Sequence, residues 1–138
     1  MYSRILVAAD GSEHSVRAVK HAIGLQTNKS NPIDIVYVVD GSKSKEDVLH
    51  GRDKYEIKKE RQEKLRNVVA ALKNANIPYE VHILHGEPGP TIVQFANDRE
   101  YDCVVVGSRG LNQLQTMILG SVSHKIAKRV HSPVLIVK

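Results

Sequence analysis

The sequence predicts an α/β fold, a three-layer α/β/α sandwich around a five-stranded, mostly parallel, doubly wound sheet. Three observations predict it. Short apolar runs, each closed by a turn residue, alternate with segments of helical period along the whole chain. Several of these runs are continuously apolar and β-branched, as in strands covered on both faces. The 138 residues, 41% hydrophobic and 25% charged, suit one domain spanning positions 1–138.

Positions 5–9 (ILVAA) form the first run and end at Asp10-Gly11. Ser12 is a good N-cap, with Ser15 one turn on. Val16, Val19, Ala22, Ile23 and Gln26 then follow at a period near 3.6. Positions 33–39 (IDIVYVV) make the second strand, and Asp40 closes it as a turn residue of the Asp-Gly type. Positions 41–53 are polar and poor in structure signals, either a loop or the frayed start of a helix. From about 54 to 74, Ile57, Leu65, Val68, Val69 and Leu72 mark a helical stripe. Positions 79–84 (YEVHIL) alternate, as a strand with one wetter face does. The segment Gly86-Glu87-Pro88-Gly89-Pro90 reads as a rigid turn into a helix, because its prolines remove backbone donors that a phosphate loop needs. Ile92, Val93, Phe95 and Ala96 continue that helix. Positions 103–106 (CVVV) run up to Gly107. Val122, Ile126 and Val130 stripe a last helix that stops before Pro133, and positions 134–137 (VLIV) complete the alternation. Right-handed crossovers join the strands.

Composition narrows the function. No apolar run approaches the ~20 residues that span a bilayer. An acid follows the first apolar stretch with no cleavage site, so no secretion signal is expected and the cytoplasm is the expected address. The single cysteine, Cys103, lies in an apolar run and reads as a buried, inert thiol. The net charge is +5, but positions 43–66 interleave nine basic with six acidic residues, the pattern of a solvated helix face. Five Tyr, one Phe and no Trp make poor stacking platforms, so nucleic acid is not the expected ligand. The seven histidines are scattered, and no pair shows metal-ligand spacing with a third ligand; His82 and His85 flank a strand end.

In an open parallel sheet, ligands sit beyond the carboxyl ends of the strands. The segment after the fourth strand is the most informative. Gly107, Arg109 and Gly110 follow the strand, and Gly120, Ser121, Val122 and Ser123 open the last helix. Glycines admit close backbone approach, and the first N–H groups of a helix carry partial positive charge. Hydroxyls from Ser121 and Ser123 and the cation of Arg109 complete an anion site, with phosphate its usual occupant. A plain strand-to-helix loop with a serine cap accounts for the same residues. Neither G-x-x-x-x-G-K-[ST] nor a strand-following G-x-G-x-x-G occurs, which argues against a Walker-type or dinucleotide site.

The spacing Gly107-x2-Gly110-x9-Gly120-Ser121, the opening ILVAADGSEHS and the ending SPVLIVK resemble the universal stress protein family over essentially the whole chain. That resemblance implies an adenine nucleotide alpha hydrolase-like fold that binds ATP with magnesium or manganese. It implies that Asp10 meets the ribose or helps hold the metal, with Ala9 beside the adenine. Val38 contacts adenine, Gly107, Arg109 and Gly110 line ribose and phosphates, and Gly120, Ser121, Val122 and Ser123 cradle the phosphates. It also implies a homodimer through the last strand, an apolar edge that invites pairing. The role expected is a stress-response sensor, with nucleotide ordering the segment between Gly107 and Gly120 for an unknown protein partner to read. Slow ATP hydrolysis at the same site is the enzymatic alternative, although no general base is identifiable. A protein-interaction module that ignores the nucleotide is the other.

Overall fold

The computed structural model describes residues 2–40, 54–108 and 120–138. Among them the order is β1 (Ile5–Ala8), α1 (Glu13–Leu25), β2 (Ile33–Val39), α2 (Lys54–Asn74), β3 (Tyr79–His85), α3 (Pro88–Arg99), β4 (Cys103–Gly107), α4 (Ser121–Arg129) and β5 (Val134–Val137). Positions 41–53, read as a loop or the start of a helix, and the sites Arg109 and Gly110 lie outside the described residues.

The five strands form one sheet in the order β3-β2-β1-β4-β5, every neighbour parallel. Alternation along each strand sends residues to two cores. On one side Ile5, Val7 and Ile35 pack with Ala18, Val19 and Ala22 of α1 and with Leu65, Val68 and Leu72 of α2. On the other, Leu6, Val36, Val104 and Val106 meet Ile92, Phe95 and Ala96 of α3 and Ile126 of α4. β1 and β4 are therefore apolar at every position, as strands under helices on both faces must be. Each fully buried Ile, Leu or Val here contributes about 1.5–3 kcal/mol of transfer free energy.

Small features set the edges of this frame. Asp102 Oδ2 accepts hydrogen bonds from Ser3 N (3.0 Å), Ser3 Oγ (3.1 Å) and Arg4 N (2.8 Å), fixing the entry to β1. The Arg4 bond leads in holding that carboxyl below the usual carboxylate range. Cys103 is buried, and burial pushes its thiol up, which keeps it protonated and inert. Pro88 opens α3 behind Glu87, as the proline-rich turn predicts. Gly86 there sits at φ +144°, a conformation that side chains rarely adopt. β3 lies at one edge, and its wetter face turns out to carry Val81 and Ile83, 36% and 38% exposed. β5 lies at the other edge, with Val134, Leu135 and Ile136 only half-buried. No described helix is long and apolar enough to cross a membrane.

Candidate functional site at the carboxyl ends of β1 and β4

The chain runs from β1 through β2 to β3, then returns to β4 and β5 on the far side of β1. The winding thus reverses between β1 and β4, and a crevice opens beyond their carboxyl ends. Two strand-to-helix turns line it.

The first turn is built around Asp10. Its Oδ1 accepts hydrogen bonds from Ser12 N (3.0 Å), Ser12 Oγ (2.6 Å) and Ser15 Oγ (2.8 Å), while Asp10 N donates to Ser15 Oγ (2.8 Å). Ser12 is the N-cap residue, as its place predicts, but its hydroxyl caps no helix N–H. It turns back to the carboxylate instead, because a charged acceptor binds a hydroxyl more strongly than a neutral one does. Gly11 between them sits at φ +86°, where glycine is nearly strain-free.

The second turn follows β4. Gly120 N donates to Ser108 O (2.9 Å), and the buried Ser123 donates its Oγ to Gly107 O (2.5 Å). These bonds seat the entrance of α4 on the end of β4. Gly120 is the N-cap and brings no side-chain cap, and no acidic residue occupies the first turn. Ser121 is exposed and Val122 half-buried. Lys128 and Arg129 in the last turn complement the helix dipole at its other end. The positive end of α4 therefore has no carboxylate of its own first turn beside it.

The two turns touch. A Cβ added at Gly107 would lie 2.6 Å from His14 Cβ and 3.2 Å from the His14 carbonyl. Glycine at this point lets the first turn of α1 press onto the end of β4, a packing reason that spacing alone does not reveal. The fold thus brings Asp10, Gly107, Gly120, Ser121, Val122 and Ser123 to one end of the sheet. Ala9 is buried, with its N–H on Val36 O at 2.9 Å. Val38, half-buried near the end of β2, packs on the α3 and α4 side.

Comparison with known proteins decides the ancestry. The profile of the universal stress protein family matches residues 1–138. The chain belongs to the universal stress protein family. Among relatives in that family, Universal stress protein MJ0531 of Methanocaldococcus jannaschii is 33% identical over 143 residues, covering 100% of this chain and 83% of the relative. The solved structure of MJ0577 superposes with a TM-score of 0.84 at 29% identity, covering 100% of this chain and 96% of that one. Two family structures carry adenine mononucleotides. One from Archaeoglobus fulgidus is in complex with dAMP (TM-score 0.71, 26% identity, 99% and 98% covered). The other is a complex with cAMP (TM-score 0.69, 26% identity, 99% and 97% covered).

Sequence reasoning placed Ser15 one turn after the N-cap but missed its bonds to Asp10. Ser15 is buried, and its only signal was a hydroxyl one helical turn after an N-cap. It also misplaced His82, which lies in the middle of β3 rather than at its end. There it faces Glu80 and Asp34, a third partner that spacing along the chain could not supply.

Proposed function

We propose that the chain is a cytoplasmic ATP-binding regulator of the stress-response type rather than a robust enzyme. The observation that carries this is the entrance to α4: glycine at the cap, exposed Ser121, and no first-turn acid, seated where the winding of the sheet reverses. An isolated helix end with these properties attracts an anion, and a phosphate chain satisfies several of its amides at once. The dAMP and cAMP complexes of relatives support adenine as the base.

In this reading Gly120, Ser121, Val122 and Ser123 hold the phosphates, with Gly107, Arg109 and Gly110 beside them. Asp10 lies toward the ribose, and Ala9 and Val38 toward the adenine. Asp10 Oδ1 already accepts three hydrogen bonds, so magnesium or manganese is better held by the phosphates than by that atom. A homodimer through β5 fits the half-buried Val134, Leu135 and Ile136 on the strand that, among the described residues, lies at the sheet's edge, and a protein partner would read the nucleotide state.

Thermal melting with and without ATP and magnesium tests the nucleotide reading. A rise with ATP that GTP does not reproduce supports it. Identical melting curves at millimolar ATP overturn it.

A further inference from the structure

We propose that Asp34, Glu80 and His82 form a binding site for one divalent transition cation of the zinc type, at the β2–β3 edge and apart from the nucleotide crevice.

The sheet register builds the cluster. β2 and β3 pair in parallel with Asp34 opposite Glu80 and Val36 opposite His82. By the two-residue alternation, Glu80 and His82 share a face with Leu84, and Asp34 with Val36 and Val38, on the side covered by α3 and α4. Phe95 of α3 stands over His82 with ring centroids 5.0 Å apart. The arrangement sets two carboxylates directly across a strand pair, where like charges repel.

His82 Nε2 is buried and makes no hydrogen bond. It lies 3.6 Å from Asp34 Oδ1 and 3.8 Å from Glu80 Oε2, and the three atoms lie within 4.8 Å of one another. Those separations are too long for hydrogen bonds. They are close to what a tetrahedral ion demands, since metal bonds of about 2.1 Å hold ligand atoms roughly 3.4 Å apart. A contraction of a few tenths of an ångström would bring the two His82 separations to that value, and a closer approach of the Asp34 and Glu80 oxygens, which lie within 4.8 Å of one another, would close the site.

The donor set also fits. One imidazole nitrogen with two carboxylate oxygens suits zinc, and cobalt as its spectroscopic stand-in, better than calcium or magnesium, which prefer oxygen alone. Tyr101 donates its hydroxyl to Asp34 Oδ2 at 2.6 Å. That bond orients the carboxylate from behind and leaves Oδ1 directed at His82, as outer partners of metal ligands do. The Glu80 side chain is 64% exposed, which gives an ion a way in and a water a place as fourth ligand. Asp34 is the second residue of β2, so the cluster lies toward the opposite end of the sheet from Ser108 and Gly120.

The test is calorimetric titration of chelator-stripped, full-length protein with zinc chloride at neutral pH, followed by visible absorption with cobalt. One equivalent of zinc should bind, and cobalt should give the intense bands of four-coordination. Glu80→Gln and His82→Asn should each weaken zinc by 10- to 100-fold or more, and Tyr101→Phe by about 10-fold. Glu80 is exposed, so Glu80→Gln should keep the far-ultraviolet circular dichroism of the parent and serves as the variant that cannot fail through misfolding. The ATP melting shift should be the same in Glu80→Gln as in the parent. No zinc uptake, or uptake that survives both Glu80→Gln and His82→Asn because scattered histidines supply it, would overturn the site.

Discussion

The turns after β1 and β4 have the same topology, a parallel strand passing into a helix at one end of one sheet, and opposite chemistry. After β1, Asp10 and Glu13 bring negative charge to the entrance of α1, and Asp10 gathers Ser12 and Ser15 around a single oxygen. After β4, the entrance of α4 has glycine, hydroxyls and no acid. The first helix end carries its own anion. The second has none in its own first turn, which leaves the positive end of its dipole without an acid of the same helix beside it. The two turns stand side by side at the point where the winding reverses, and in the function proposed above one acts as scaffold and the other as seat.

That contrast can be broken at its joint. Gly107→Val forces a Cβ against His14 and should destabilise the fold by about 3 kcal/mol, at the upper end of overpacking costs, read as a fall in the urea midpoint. An unchanged midpoint would mean the two turns do not depend on that contact. Next in size is the ligand effect. ATP at ~100-fold above its Kd should add roughly 2.7 kcal/mol, a rise in Tm on the order of 10 °C for a domain of this size.

Asp10→Ala removes the acceptor of the Ser12 N–H and of the buried Ser15 hydroxyl, and should cost about 1–3 kcal/mol by chemical denaturation. Asp10→Asn keeps an acceptor oxygen and should recover most of that loss. Should the two variants prove equally unstable, the charge rather than the geometry holds the turn. The smallest effect sharpens the comparison most. Ser121→Glu gives α4 the acid that α1 already has, and should raise the stability of the free protein by about 0.3–1 kcal/mol. The same change should weaken ATP at least tenfold, measured by calorimetry. A variant that gains stability and keeps its affinity would separate the helix end from the phosphate.

Much of this was legible in the residues themselves. The runs at 33–39 and 134–137 coincide with β2 and β5, and the stripe from about 54 to 74 with α2. Local periodicity carries that information, because burial on one face repeats every two residues in a strand and every 3.6 in a helix. The glycine and serine spacing likewise put Gly107 and Gly120 at the right end of the right strand and helix. The reason for Gly107, contact with His14 across the fold, was not legible. Nor was the turning of Ser12 away from its helix toward Asp10, since a cap residue and a carboxylate partner look alike in sequence.

The sequence by itself determined which segments are strands and which helices, their order, and the chemical character of each turn, because each of these depends on neighbours along the chain. Only the tertiary structure decided that β1 lies between β2 and β4, which opens the crevice, and that Asp34 stands beside Glu80 and His82. Those are contacts between residues far apart in the chain. Strand order and register fix them, and no local period encodes either.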